Sequence, residues 1–100
     1  KKSTMLYILQ ISPKAFMEYD DLLEWYLEID VKLGEKFADE YFSALQKIVH
    51  KPKYYSFIAP NTRRIPFKSI KAMLVYILNE NIIEVISVKD MRSKPGKHFY

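Results

Sequence analysis

The side chains best suited to chemistry are cations, and they crowd into the second half of the chain. Arg63, Arg64, Lys68, Lys71, Lys89, Arg92, Lys94 and Lys97 run from mid-chain into a tail that also carries His98 and Tyr100. Arginine offers a planar fork that matches a phosphate or carboxylate, and lysine a compact point charge. Other chemistries find no support. With zero Cys there is no thiolate nucleophile, thiolate metal site or disulfide. The two histidines, His50 and His98, sit in no cluster of carboxylates at ligand spacing, so no metal is expected. No glycine-rich phosphate loop exists among the 2 glycines, and no cofactor is expected. Glu18, Asp20, Asp21, Glu24 and Glu28 could be mistaken for paired catalytic carboxylates, but their helical spacing reads as a solvated helix face.

The net charge of +4 hides a division. Residues 1–50 hold six basic and nine acidic side chains, and residues 51–100 hold ten and three. The first half would be repelled by a polyphosphate and the second attracted to it. This segregation marks the basic half as the face for a partner, nucleic acid or acidic protein.

The elements that must position these cations centre on residues 61–89. Thr62 to Phe67 alternates Arg63, Ile65 and Phe67 against Thr62, Arg64 and Pro66. Ala72 to Leu78 (AMLVYIL) is apolar enough for a strand covered on both faces. Ile82 to Lys89 returns after Asn79-Glu80-Asn81, where Asn tolerates the positive φ of a tight hairpin. Upstream, Met5 to Ile11 reads as a buried strand. Ser12-Pro13 then supplies an N-cap and a first-turn proline. Ala15, Tyr19, Leu22, Leu23, Tyr26 and Ile29 stripe one helix; Phe37, Ala38, Tyr41, Ala44, Leu45, Ile48 and Val49 stripe a second. Asp30 to Gly34 breaks them, and Pro52 ends the second. Residues 53–61 read as a loop. The pattern is β-α-α-β-β-β, an α+β fold in which a helical hairpin packs on one face of an antiparallel sheet.

Length and composition agree. At 100 residues and 49% hydrophobic, the chain reads as one domain over 1–100 with a real core. No apolar run approaches a membrane span, and no secretory h-region opens the sequence. A cytoplasmic protein with no membrane partner is expected. Trp25, Tyr54, Tyr55 and Phe57 exceed what the core absorbs and point to an interface.

Taken in order, TRRIPF, MLVYIL, IIEVISV and MRSKP behind a helical hairpin resemble the RelE/ParE family of bacterial toxins, often described as plasmid stabilisation proteins. The likeness covers nearly the whole chain. It implies a growth-inhibiting toxin of a type II module, held inactive by a cognate antitoxin whose extended or helical segment wraps it. The RelE-like branch cuts mRNA on the ribosome without a metal, using Arg and Lys to stabilise the phosphorane and a basic or tyrosyl group to move protons. Where that branch places arginines, this chain has Met73 and Met91. Arg64, Arg92, His98 and Tyr100 are the candidates left for such chemistry. The ParE-like branch poisons DNA gyrase without a nuclease set, and RRIPF looks more like it. The resemblance thus implies a ParE-like growth inhibitor, with a ribosome-dependent nuclease or a non-toxic binding module as alternatives. In each case Arg63, Arg64, Lys68, Lys89, Arg92, Lys94 and Lys97 meet the target, gyrase or ribosome with mRNA, and a homodimer is allowed.

The helix faces are open to a direct test. Leu45→Ala is expected to cost about 2–5 kcal/mol as a core truncation, and Glu24→Ala less than about 0.5 kcal/mol. Equal shifts in denaturant melts would mean the faces are reversed.

Overall fold

The computed structural model of the chain describes residues 6–91. The elements follow in the order β1 (Ile8–Ile11), α1 (Pro13–Ile29), α2 (Val31–His50), β2 (Phe57–Ala59), β3 (Thr62–Pro66), β4 (Ala72–Asn79) and β5 (Ile82–Asp90). They form a helical hairpin on one face of a five-stranded sheet of order β1-β5-β4-β3-β2. The α+β class and the hairpin-on-sheet arrangement are as the sequence implies, and Leu45 is buried while Glu24 is exposed.

Four details differ. The sheet is mixed: β2 to β5 are antiparallel, but β1 joins β5 in parallel, Ile8 opposite Ile82 and Ile11 opposite Val85. Parallel neighbours need a crossover, and here the helices and three strands lie between them. Read as buried, β1 is instead an edge strand of Ile8–Ile11 with no buried residue, Ile8 being 50% exposed, because only β5 lies beside it. Alternation along it shows its faces and not its partner. Residues 53–61, read as loop, contain β2, whose three exposed residues carry no burial pattern to reveal a strand. The break between helices is one residue and not five. Asp30 donates its backbone N–H to the Tyr26 carbonyl, closing α1, and its side chain accepts from the Lys32 N–H at 3.1 Å, opening α2. Gly34 therefore lies inside α2. A Cβ there would fall 2.3 Å from Leu27 Cδ2, so only glycine lets the helices meet this close to their junction.

The helix start reads directly from sequence: Ser12 Oγ accepts from the Ala15 N–H at 3.1 Å, with Pro13 at the first turn. Aromatic rings then bind the layers together. Tyr19 stacks on Tyr41 at 4.1 Å and on Phe37 at 5.5 Å. Phe37 in turn meets Tyr26 at 5.0 Å and Phe67, just past β3, at 5.6 Å. Tyr26, Tyr41 and Tyr76 are core, and Tyr7 and Tyr19 pack against it half-buried. Burial, helped by the nearby Tyr19, pushes the Tyr41 phenol up to about 12. At the β4–β5 turn the positive φ of 57° falls on Glu80 and not on an asparagine. Asn81 instead secures β1: its carbonyl accepts from the Ile8 N–H at 2.8 Å, and its Nδ2 donates to the Leu6 carbonyl at 3.3 Å.

Two helix carboxylates fasten the layers, and both were easy to mistake for solvated charge. Glu40 of α2 accepts from the backbone N–H groups of Ser69 and Ile70 at 3.0–3.1 Å and from Ser69 Oγ, tying α2 to the β3–β4 loop. Glu18 of α1 accepts from the Val88 N–H at 3.0 Å and Ser87 Oγ at 2.8 Å, and pairs with Lys14 at 2.8 Å. It thereby occupies the stretch of β5 that lies beyond the end of β1. Burial alone would raise the pKa of both carboxyls. For Glu40 the Ser69 hydroxyl and the loop N–H groups outweigh it, and for Glu18 Lys14, the Val88 N–H and the Ser87 hydroxyl do so. Both acids therefore sit below their ordinary value.

A depressed folded-state pKa means the unfolded chain binds protons first, so this stability is present above the ordinary carboxylate value and is lost as pH falls through the lower folded one. Urea midpoints measured from pH 7 to pH 3 are expected to drop steeply below the ordinary Glu value of 4.5. Glu40→Gln should start lower and fall less across the same window. An identical acid arm in the variant would remove Glu40 from this role.

Candidate functional site

The charge division of the sequence becomes a division in space. Asp20, Asp21, Glu24 and Glu28 stand exposed on α1, while the described cations of the second half lie on the sheet and its loops. Three groupings of those cations follow from the strand register.

The first is Arg63, whose surroundings are its own chain. It shares the helix-side face with Ile65 and Phe67, and its Nη1 donates to the carbonyls of Lys53 at 2.9 Å and Tyr55 at 2.7 Å. The guanidinium lies 3.9 Å from the centroid of the Phe57 ring. Beside it the buried Tyr76 hydroxyl donates to the Pro52 carbonyl at 2.7 Å. Burial raises that phenol to about 12 even though Arg63 pulls the other way. Three carbonyls of segment 52–55 thus turn inward onto Arg63 and Tyr76, which hold the link between α2 and β2.

The second grouping is the sheet face turned away from the helices. Arg64 pairs with Val75, Pro66 with Met73, and Met73 with Lys89. Val75 is only 3% exposed yet stands outside the core cluster, as a residue of that second face would. Arg64 and Lys89 are therefore on one face but two strands apart, and the position between them in register with Lys89 is the thioether of Met73. The third grouping gathers at the end of the sheet where β5 finishes. Exposed Lys68 and Lys71 sit in the β3–β4 loop, and the Met91 N–H donates to the Lys71 carbonyl at 2.8 Å, close to Lys89. Arg92, Lys94, Lys97, His98 and Tyr100 lie outside the described residues.

No group of three or more His, Cys, Asp or Glu placed to hold a metal occurs among the described residues. No helix among them is long and apolar enough to cross a membrane. Of the aromatics singled out as surplus, Tyr54 is 73% and Phe57 58% exposed, whereas Trp25 and Tyr55 pack half-buried against the core. Exposed Phe16, Met17 and Phe42 on the helices escaped the sequence reading. Phe42 falls off its apolar stripe and shows only as an edge contact of Tyr19 and Tyr41.

If Arg63 is a fastener, Arg63→Ala should cost about 1–3 kcal/mol, because it strands two carbonyls and a ring face, and should speed hydrogen exchange in residues 53–57. Lys68→Ala should stay within about 0.5 kcal/mol. Equal, small effects in melts would leave Arg63 without a structural role.

No protein-family model and no curated protein matches the sequence. Solved structures do match the fold. A chain of the chromosomal ParDE toxin–antitoxin system from P. aeruginosa superposes with a TM-score of 0.77 at 10% identity, over 89% of this chain and 100% of that one. The isolated E. coli RelE toxin gives 0.67 at 20% identity, over 89% and 88%. A chain of the intact E. coli RelBE toxin–antitoxin complex gives 0.67 at 21%, over 87% and 99%. These identities speak for architecture alone, and the chain, with its two helices and five-stranded mixed sheet, has the fold of the RelE/ParE toxins of type II toxin–antitoxin systems.

Proposed function

We propose that this chain is the toxin of a type II toxin–antitoxin module and that it acts in the ParE-like manner, inhibiting growth through DNA gyrase, under the control of a cognate antitoxin. Its likeness to chains of the ParDE and RelBE systems supports the module and the antitoxin. The observation that carries the ParE-like choice is Met73. Metal-free RNA cleavage needs a cation against the extra negative charge of the phosphorane and groups for both proton transfers, all around one phosphate. On the sheet face away from the helices, the place beside Lys89 is held by a thioether, which does neither. Arg64 and Lys89 flank it from strands two apart, each a cation for docking an anionic surface.

A ribosome-dependent mRNA endoribonuclease is the second reading, favoured by Arg64 and Lys89 sharing that face. The two separate on induction in cells. The ParE-like reading expects DNA damage signalling and loss of gyrase supercoiling in a purified assay, with mRNA 5′ ends unchanged. New 5′ ends inside translated codons, abolished by Arg64→Ala, Arg92→Ala or Tyr100→Phe, would replace it with the nuclease.

A further inference from the structure

The β1 edge is used by neither reading. Among the described residues β1 has only β5 beside it. The N–H groups of Ile8 and Ser12 donate to the carbonyls of Asn81 and Val85 at 2.8 and 2.9 Å. Backbone groups alternate along a parallel strand, so Ile8, Gln10 and Ser12 turn theirs to β5, and Tyr7, Leu9 and Ile11 turn theirs outward. Sheet edges are ordinarily guarded by lysine, proline or a bulge. The far edge has all three: Lys51 and Lys53 precede β2, a register shift falls between Phe57 and Ala59, and Pro60 follows. The β1 edge is short, but from Leu6 to Ser12 (LYILQIS) it carries no charge and no proline. Leu6 and Ile8 are 77% and 50% exposed. Between β1 and the end of α2 opens a groove of about 520 Å³ lined by Tyr7, Leu9, Leu45, Gln46, Val49 and His50.

We propose that the β1 edge pairs with the β1 edge of a second copy of this chain, antiparallel about a two-fold axis at Leu9, so that the two five-stranded sheets become continuous. In that register Leu9 meets Leu9 of the second copy and Tyr7 meets its Ile11, each pair exchanging two backbone hydrogen bonds. Tyr7, Leu9 and Ile11 all pack on the helix side, so Ile11 of the second copy arrives beside Tyr7 at the groove. On the other face Ile8 meets Gln10. Charge decides the occupant. A nucleic acid would need cations and a charged peptide a counter-charge, and the edge supplies neither. The groove lining adds one imidazole, His50, and no carboxylate, lysine or arginine. An uncharged, apolar strand is what fits, and β1 itself is such a strand. The inference stands apart from the toxin reading, and it gives the homodimer that the sequence allows a defined surface.

The test uses the full chain, in sedimentation equilibrium and by oxidative crosslinking. A monomer–dimer equilibrium is expected, with a dissociation constant of about 1 μM to 1 mM, as a small interface gives. Salt should not weaken it, because no ion pair crosses the edge. Ile8→Lys, at a half-exposed position, should weaken the dimer by about tenfold or more with the melting temperature unchanged. The chain has no Cys, so Leu9→Cys should form a disulfide-linked dimer on mild oxidation, the paired Cα atoms lying about 5.5 Å apart. Lys32→Cys, at an exposed position on α2, should not. A chain monomeric at about 1 mM would leave the edge to another protein's strand and overturn the proposal. So would a dimer indifferent to Ile8→Lys, a dimer dispersed by salt, or equal crosslinking in the two cysteine variants.

Discussion

A single residue, Asp30, ends one helix and begins the next, and the rest of the molecule follows from that junction. With no linker to absorb an offset, α1 and α2 must lie side by side from their first shared turn, which Gly34 permits by leaving room for Leu27. The hairpin so formed presents Tyr26, Phe37 and Tyr41 as one apolar surface, and the sheet supplies its complement in Ile65, Phe67, Leu74, Tyr76, Ile83, Val85 and Val88. Close packing of this kind leaves little freedom for one layer to slide on the other.

Electrostatics then divides the labour among like charges. Of the acidic side chains on α1, Glu18 meets backbone and hydroxyl donors of β5, while Asp20, Asp21, Glu24 and Glu28 face solvent. Among the described arginines, Arg63 bonds the Lys53 and Tyr55 carbonyls of the turn after α2, whereas Arg64, one residue on, points to the opposite sheet face. Adjacent residues of a strand always diverge in this way. The pair Arg63-Arg64 is thus one structural and one outward-facing group.

The basic surface of the sheet is consequently made of separate patches. Lys68, Lys71 and Lys89 gather at the end where β5 finishes, Arg64 stands on β3 on the face away from the helices, and Lys51 and Lys53 flank the β2 edge. A partner that covers more than one patch must wrap the sheet, and a compact ligand would meet only one.

Much of this was legible without coordinates. Ser12-Pro13 announces the first helix, the 3.6-residue stripes mark its packed face and that of its neighbour except at Ile29, which is 55% exposed at the helix end, and period-two alternation in 62–67 and 82–89 places Ile65 and Ile83 inward. These signals are local: each depends on residues within one turn or one strand. The partner of β1 and the donors that claim Glu18 and Glu40 depend instead on residues far away in sequence, 29 positions for Glu40 and Ser69 and 70 for Glu18 and Val88. The strand hidden in 57–59 and the carbonyls that claim Arg63 lie within 10 positions of their partners but follow no helical or strand period. Periodicity says which way a side chain points. Only the tertiary structure decides what it meets there, because burial and hydrogen bonding are properties of the neighbours that folding brings, and the same glutamate at the same helical spacing is solvated or bound according to which strand arrives beside it.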